Sequence, residues 1–569
     1  MNQFQTDNFV ELRLNRIYSR RDAISCLDGI KTLVSKYKKK IKSKDYSQTE
    51  KDIILIAYGD HITSQNELPL ETLNKFLDKF CRNKINSVHI LPFYPYSSDD
   101  GFSVIDYTAV DPKLGSWEEV DRISKKFRIM FDGVVNHISA QSDWFKKYLA
   151  NDPEYKNFFH DMDPEADLSE VVRPRTTPLL NEFEDADGNI RNIWCTFSPD
   201  QVDLNYSNYK VLLKVLDALF TYIEHGATLI RLDAIAFLWK EPGTHSVHLT
   251  QTHELIQVMR DVLHQVAPEV IIITETNVPH KENVSYFGSG HDEAHMVYNF
   301  ALPPLIAWSI ITGDGTRLSE WARDLSLPSD KVCFFNFTAS HDGIGMRPVS
   351  DILSEDEVQL LVDTCLNNGG LVSYRDSGFG TVKPYELNCT FKDLLTSPDR
   401  TEEEKLRRML LSQAIALAIP GVPGIYLSSI LGTDNWKEGQ KVTGVNRTLN
   451  REKFDWGQLQ DRFKVEVYKK YFDDYLKLVE LRSSESAFNP YQPFTIMDLH
   501  SNCLAIIRHG EESILCLHSF GEENIVLALP EEFSINCIDV ITERSYTGEC
   551  TLQPNEFVWL KAKETTPCT

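Results

Sequence analysis

The stretch Leu229-Ile-Arg-Leu-Asp233 has the pattern of a short buried strand that ends in charged residues. Similar apolar, β-branched runs recur along the chain, separated by stretches of helical periodicity: Ile53–Tyr58, Val88–Leu91, Ile129–Phe131, Val270–Ile273, Val332–Phe337 and Gly424–Leu427. Such repeated strand–helix alternation indicates a parallel sheet. The length of 569 residues favours a closed (β/α)8 TIM barrel with additional pieces.

The spacing of these runs predicts a barrel with two insertions. We expect an N-terminal helical extension over residues 1–50, followed by barrel segments over residues 51–136, 207–342 and 403–489. Residues 137–206 are longer than an ordinary strand–helix connection and are interpreted as an inserted subdomain B. Residues 343–402 are interpreted as an inserted lid subdomain. Short alternating runs over residues 490–569 predict a C-terminal antiparallel β-sandwich domain.

Composition excludes several classes of partner. The net charge of −24 opposes binding to nucleic acid or to an anionic membrane surface. The chain shows neither a signal-peptide pattern nor a long unbroken apolar segment, so we expect a cytoplasmic protein that does not insert into a membrane. Eleven cysteines without a C-x-x-C pair indicate reduced thiols. The sequence leaves the oligomeric state open, a homodimer being one option.

Carboxylates follow three of the predicted strands. In a strand, residues 231 and 233 point to the same side, so Arg231 can hold the Asp233 carboxylate ionised, as a nucleophile requires. Glu275 ends the run Ile271-Ile-Ile-Thr, where partial burial would raise its pKa into the range of a general acid. Asp342 adds a third carboxyl two strands further round. Retaining glycoside chemistry needs two carboxyls about 5–5.5 Å apart. Taken singly, Asp233 also fits a salt bridge at the barrel rim, and Glu275 also fits a structural carboxylate at a strand end.

Together with Asp132-Gly-Val-Val-Asn-His137, these strand ends resemble the four signature regions of the α-amylase superfamily, glycoside hydrolase family 13. The resemblance implies that Asp233 is the nucleophile, Glu275 the acid/base and Asp342 the transition-state stabiliser. It also implies that Arg231, His137 and His341 contact the sugar.

Two further segments resemble the sucrose phosphorylase subfamily. Asp99-Asp-Gly-Phe102 is similar to a segment whose Asp pairs with an Arg, here Arg451, to close the glucose pocket, with Phe102 near the sugar ring. Arg173-Pro-Arg175 is similar to the phosphate loop of that subfamily, and Tyr385 lies where its lid contributes a phosphate contact. The resemblance therefore implies that Arg175 and Tyr385 bind phosphate, although loop arginines without such a role remain an alternative.

The acceptor is the part of the substrate on which the sequence departs from sucrose phosphorylase. The lid reads Lys383-Pro-Tyr-Glu386 where sucrose phosphorylases carry Asp-x-Tyr-Gln, so Lys383 and Glu386 are candidate acceptor contacts, and the lysine favours an anionic acceptor. The segments 196–205 and 243–253 resemble the glucosylglycerate phosphorylase branch. That branch implies reversible phosphorolysis of 2-O-α-glucosylglycerate through a β-glucosyl-Asp intermediate. The alternatives are a sucrose, sucrose 6'-phosphate or glucosylglycerol phosphorylase, or an α-glucosidase or transglucosylase.

Other readings of the sequence have less support. His291-Asp-Glu-Ala-His295 departs from the zinc motif H-E-x-x-H, and no nucleotide-binding glycine loop is present. We therefore expect neither metal nor cofactor, with an α-glucoside and inorganic phosphate as small-molecule substrates. A non-catalytic carbohydrate-binding protein on the same barrel is disfavoured because all three carboxyls are present.

Overall fold

In the computed structural model, which describes residues 3–43, 46–376 and 382–562, eight parallel strands close into a barrel. The strands are β1 (Ile54–Ala57), β2 (Ser87–Ile90), β3 (Arg128–Gly133), β4 (Ala227–Leu232), β5 (Ile271–Thr274), β6 (Met296–Tyr298), β7 (Cys333–Asn336) and β8 (Val422–Tyr426). Each strand pairs with its neighbours in chain order, and β8 pairs with β1. The structure thus confirms the (β/α)8 barrel.

Strand β6 has no counterpart among the predicted apolar runs. It is only three residues long and follows the polar segment His291–His295, so neither its length nor its flanks mark it as a strand. Its place in the barrel comes from pairing with β5 through Ile273 and with β7 through Cys333. His295, just before β6, accepts a hydrogen bond from the Ile272 amide (3.0 Å) at a buried position.

Helices surround the barrel and cover the apolar outer faces of the strands. The longer ones are Pro69–Phe76, Trp117–Ser124, Tyr209–Glu224, Thr250–His264, Leu302–Thr312, Thr316–Arg323, Glu402–Ala418 and Glu466–Ser484. Shorter helices, some of them outside the barrel, are Asp143–Leu149, His280–Val284, Phe391–Leu395, Leu427–Leu431, Lys437–Thr443 and Trp456–Arg462. Because both faces of a parallel strand are buried, the strands are mostly apolar, and most of their polar residues lie near the ends.

Two N-terminal helices, Gln3–Ile17 and Arg20–Tyr37, lie against the outside of the barrel. Arg13 donates to Asp261 (2.8 Å) on helix Thr250–His264, and the Tyr37 hydroxyl donates to Asp217 Oδ1 (2.9 Å) on helix Tyr209–Glu224. These helices therefore cover the two barrel helices that flank β4. No described helix has both the length and the apolar content needed to cross a lipid bilayer.

Two excursions from the barrel stand over the carboxyl ends of its strands. The first contains the paired strands His137–Ser139 and Gln201–Asp203, and the paired strands Leu180–Glu184 and Ile190–Trp194. The second contains helix Glu355–Asn367 and the strands Ile344–Gly345, Leu371–Asp376 and Val382–Asn388. Residues 377–381 of the predicted lid lie outside the described residues. Outside these excursions, the short strands Ile62–Thr63 and Phe454–Asp455 pair at the same rim.

The C-terminal region folds into antiparallel sheets with a separate apolar core, as the sequence predicts. One sheet comprises the strands Phe494–Met497, Cys503–Arg508, Ile514–Ser519, Cys537–Asp539, Ser545–Tyr546 and Phe557–Ala562, and a second pairs Ile525–Ala528 with Glu549–Leu552. Helix Glu531–Ser534 lies in the same region. The ten described cysteines are all buried and free of disulfides, whereas Cys568 lies outside the described residues.

Candidate active site

Asp233 and Glu275 lie next to each other at the carboxyl ends of adjacent strands. The register of β4 and β5 pairs Leu232 with Thr274, so the two acidic residues that follow are at the same level of the barrel. Their backbones continue the ladder, because the Glu275 amide donates to the Leu232 carbonyl (3.1 Å). Neighbouring strands lie about 4.8 Å apart, which is close to the carboxyl separation of retaining glycosidases.

The guanidinium of Arg231 lies beneath the carboxyls, with only 1% of the residue exposed. Its Nη1 is 2.7 Å from Asp233 Oδ1 and 2.5 Å from Asp132 Oδ1. Its Nη2 is 3.8 Å from Glu275 Oε2 and 4.0 Å from Asp342 Oδ2. One buried cation thus offsets the repulsion among several carboxyls in a site of low dielectric.

Asp132 and His89 fix the arginine from the side of the barrel core. His89 Nε2 lies 2.6 Å from Asp132 Oδ2, and both side chains are fully buried. Burial opposes ionisation of Asp132, but His89 and Arg231 outweigh it and hold the pKa of Asp132 below its ordinary value. Asp132 belongs to the motif that runs to His137, and the sequence assigned no role to it. Its contacts show that it anchors Arg231.

The two facing carboxyls differ in their affinity for a proton. Burial raises the pKa of Glu275 to about 8, with Arg231 acting in the opposite direction. Burial also raises the pKa of Asp233, but the neighbouring Arg231 and His137 oppose that rise. Glu275 Oε2 accepts a hydrogen bond from the Ala234 amide (3.0 Å), which holds it beside Asp233. The arrangement suits a protonated Glu275 opposite an ionised Asp233.

Asp342 remains ionised because it has a strong cationic partner. Arg447 Nη1 lies 2.6 Å from Asp342 Oδ1, and the side chain of Asp342 is 13% exposed. Burial opposes ionisation, but Arg447, His341 and Arg231 hold the pKa of Asp342 well below its ordinary value. Asp342 thus presents a permanent negative charge to the pocket at neutral pH.

The residues expected to contact the sugar lie close to Asp233, Glu275 and Asp342. Phe102 and His341 stack with ring centroids 4.6 Å apart and nearly parallel planes, and both line the pocket. His137 Nε2 lies 3.0 Å from the Phe102 carbonyl oxygen and 3.2 Å from Gln201 Nε2. Gln201, in a segment noted only for its resemblance to a branch, is a pocket residue that sequence reasoning did not assign.

The predicted pairing of Asp99 with Arg451 is wrong in its acidic partner. Arg451 Nη1 instead contacts Asp100 Oδ2 (2.6 Å), whereas Asp99 lines the pocket with Phe102. Asp99 and Asp100 both have positive φ, 54° and 48°, so they lie in a tight turn where strand alternation does not apply. The turn points neighbouring carboxylates in different directions, and the sequence alone could not distinguish them.

The structure does not place Lys383 in the acceptor site. Its ammonium pairs with Glu355 Oε1 (3.1 Å) on the exposed face of the lid, where the Lys383 side chain is 57% exposed. Tyr385 and Glu386, on the same strand, are buried and line the pocket. An exposed ion pair leaves little net charge for an acceptor, so the charge argument drawn from Lys383 is wrong.

Cationic and aromatic groups also line the pocket that contains the three carboxyls. Arg175 lies over the ring of Tyr385, 5.1 Å from its centroid. Arg347 and Asn277 line the same pocket, as do Pro174, Phe197, Ala234, Ala236, Phe237 and Thr276. Sequence reasoning assigned no role to these last eight residues, and the position of Arg347 shortly after His341-Asp342 was the only available signal for it.

A (β/α)8 barrel with three carboxyls around a buried arginine at its rim defines an enzyme of the α-amylase superfamily. Residues 77–316 match the family described as the α-amylase catalytic domain. A sucrose 6F-phosphate phosphorylase structure from Thermoanaerobacter thermosaccharolyticum has a similar fold, with a TM-score of 0.73 at 23% identity over 83% of this chain and 94% of that one.

Relatives that match this chain over most of their length indicate a narrower class of enzyme. The glucosylglycerate phosphorylase of Escherichia coli K12 is 41% identical over 95% of this chain and 96% of its own length. The glucosylglycerate phosphorylase of Spirochaeta thermophila is 46% identical over 82% of this chain and 80% of its own length. The chain belongs to this family of glycoside phosphorylases.

Proposed function

We propose that this protein catalyses the reversible phosphorolysis of 2-O-α-glucosylglycerate to α-glucose 1-phosphate and glycerate, with retention of configuration. The observation that carries the proposal is the position of Arg175 and Tyr385, which line the same pocket as Asp233 and Glu275. A phosphorylase needs cationic and hydroxyl groups there, because phosphate must compete with water for the glucosyl-enzyme. The substrate in this proposal is taken from the names of the relatives that match this chain over most of their length.

In the first step, Asp233 attacks the anomeric carbon of the glucosyl unit. Glu275 donates its proton to the O2 atom of the departing glycerate, so the C–O bond breaks without formation of an alkoxide. The product is a β-glucosyl ester of Asp233. The raised pKa of Glu275 supports this role because it keeps the group protonated near neutral pH.

In the second step, phosphate replaces glycerate in the pocket and attacks the anomeric carbon of the glucosyl ester from the α face. Arg175 and the Tyr385 hydroxyl hold its oxygens, and Asp233 leaves as a carboxylate. Two inversions give α-glucose 1-phosphate. Asp342 remains ionised throughout and stabilises the positive charge that develops on the sugar ring, whereas Arg231 stabilises the carboxylate form of Asp233.

The test incubates the protein with α-glucose 1-phosphate and, separately, glycerate, glycerol, fructose and fructose 6-phosphate, and measures released phosphate. We expect the highest rate with glycerate. Preference for glycerol or for a fructose acceptor would reassign the protein to one of the alternative phosphorylases. Phosphate-independent glucose release as the sole activity would indicate an α-glucosidase or a transglucosylase. Action without a cofactor and a cytoplasmic location are further parts of this proposal, and the oligomeric state stays open, with a homodimer as one option.

A further inference from the structure

Arg347 is a cation of the pocket that the mechanism above does not use. It follows the short strand Ile344–Gly345, which pairs with the lid strand at Leu387 and Glu386. The Met346 amide donates to the Tyr385 carbonyl (2.9 Å), so the backbone next to Arg347 is fixed to the residue that we assign to phosphate. Arg347 is therefore held at the lid side of the pocket, away from the barrel floor.

The charge of Arg347 is less completely paired than that of the neighbouring Arg447. Arg447 makes two contacts with Glu386, at 3.0 and 2.6 Å, and one with Asp342 at 2.6 Å. Arg347 Nη2 has Glu282 Oε2 at 3.7 Å, which is longer than a hydrogen bond, and its side chain is only 11% exposed. A largely buried guanidinium with such a distant counter-ion is well suited to bind an anionic ligand.

The counter-ion Glu282 is held in place by other residues. His248 Nε2 lies 3.0 Å from Glu282 Oε2, and His248 Nδ1 lies 2.7 Å from the Tyr286 hydroxyl. His248 has φ of 57°, in the left-handed region that residues other than glycine rarely adopt. The segment 243–253, which resembles the glucosylglycerate branch, thus contributes to the surroundings of Arg347.

Asn277 supplies an unused acceptor beside this cation. Its Oδ1 is buried and has no hydrogen-bond partner among the described residues, and the side chain lines the pocket. A Cβ atom built on Gly345 would lie 2.6 Å from Asn277 Oδ1, so the backbone of the Arg347 loop passes directly over the amide. A buried oxygen without a donor is costly, and the Asn277 amide lines the pocket, where a ligand can hydrogen-bond to it.

We propose that Arg347 binds the carboxylate of the glycerate acceptor while the Asn277 amide forms a hydrogen bond with its terminal hydroxyl. The inference rests on the proposed function and identifies the residues that select the acceptor. Arg175 and Arg347 then divide the two anions of the reaction between them, Arg175 holding phosphate and Arg347 holding glycerate. Glycerol has the hydroxyls of glycerate without the carboxylate, so it is the acceptor that separates these contacts.

The experiment compares wild type with Arg347→Met and with the control Lys383→Met, which removes a cation from the exposed face of the lid. Initial rates are measured with α-glucose 1-phosphate as donor and glycerate or glycerol as acceptor. Arsenolysis of α-glucose 1-phosphate, which needs no sugar acceptor, reports on folding and on the anion site at Arg175. Asn277→Ala is measured in parallel.

For Arg347→Met we expect the KM for glycerate to rise about 10- to 100-fold, with glycerol turnover and arsenolysis changed about twofold or less. Asn277→Ala weakens glycerate and glycerol alike, and Lys383→Met changes neither. Equal losses on glycerate and arsenate in Arg347→Met would overturn the assignment, as would a glycerate-specific loss in Lys383→Met. A wild type that uses glycerate beside an unchanged Arg347→Met refutes this inference alone. A wild type without glycerate activity refutes the proposed function as well.

Discussion

Arg447 joins the pocket carboxyl Asp342 to the lid residue Glu386. Its guanidinium contacts Asp342 Oδ1 at 2.6 Å and both carboxylate oxygens of Glu386, at 3.0 and 2.6 Å. The same side chain thus keeps Asp342 ionised and fixes the strand that carries Tyr385. The charge of the glucose site and the position of the acceptor site are coupled through these contacts.

Removal of this link should affect chemistry more strongly than loss of the lid contact alone. For Arg447→Met we expect kcat/KM for α-glucose 1-phosphate to fall about 100- to 1,000-fold, because Asp342 loses its principal counter-charge. Glu386→Gln retains the contact of Arg447 with Asp342 and should lose about tenfold or less. Steady-state kinetics of both variants provide the test, and a loss in Glu386→Gln equal to that in Arg447→Met would contradict this order.

The glucosyl-enzyme should be trapped on Asp233. With α-glucosyl fluoride, which needs no proton on its leaving group, Glu275→Gln is expected to form the ester and to release it slowly to water. Peptide mass spectrometry should then find one glucosyl unit on the peptide that contains Asp233. Asp233→Asn serves as the control and should remain unmodified, and a label on any other carboxyl would contradict the assignment.

The leaving group should determine how much Glu275→Gln loses. We expect a larger rate loss with glucosylglycerate, whose alkoxide needs a proton, than with α-glucose 1-phosphate, whose phosphate leaves as an anion. Parallel single-turnover measurements on the two donors give the comparison. Equal losses would count against proton donation by Glu275.

Activity should decline on the alkaline side as Glu275 loses its proton. Burial raises the pKa of Glu275 to about 8, and a general acid works only when protonated, so kcat/KM for phosphorolysis should fall as pH rises through about 8. Glu275→Gln should lack this limb in its residual activity. A pH–rate profile of both proteins checks the prediction, and an unchanged alkaline limb in the variant would assign the titration to another group.

The same raised pKa predicts an effect on stability. Because Glu275 binds its proton more tightly in the folded state than at the ordinary value of 4.5, its contribution is fully present below about pH 4.5 and is lost as pH rises toward about 8. Glu275→Gln has no such dependence. The Tm of the variant relative to wild type should therefore increase from about pH 5 to about pH 8 in thermal unfolding.

Arg175 should determine whether phosphate or water reacts with the glucosyl-enzyme. For Arg175→Ala we expect the KM for phosphate to rise about 10- to 100-fold and the share of glucose among the products to increase, because one charge-assisted contact is removed. The products of glucosylglycerate cleavage at varied phosphate concentration can be quantified directly. Arg173→Ala is the control, and an equal effect there would indicate a general electrostatic role of the loop.

The motifs of the sequence predicted much of the fold and of the glucose site. Asp233 and Glu275 were identified because they end apolar strands, and parallel strands bring their ends to one rim whatever the details of packing. Strand β6 is not predicted, because a run of three residues has too little periodicity to be recognised as a strand. Strand β6 completes the barrel, and Asp233 and Glu275 still follow the strands that the sequence predicts.

The acceptor side could not be predicted in the same way. The lid strands shift register between Ser373 and Tyr374, so consecutive residues opposite this irregularity, Tyr385 and Glu386, both line the pocket while Lys383 faces solvent. A β-bulge of this kind breaks the alternation on which sequence reasoning depends. The partner of Arg451 was missed for a similar reason, since Asp99 and Asp100 lie in a turn with positive φ.

The sequence by itself determined the barrel, the carboxyls at its rim and the family, because strand periodicity and short motifs are local properties. Only the tertiary structure determined which cations face the pocket. Arg447 is neutralised by Asp342 and Glu386, Lys383 is paired at the surface, and Arg347 retains only a distant counter-ion. The charge available to a ligand depends on partners that are distant in sequence and on burial, and both are set when the lid folds over the barrel.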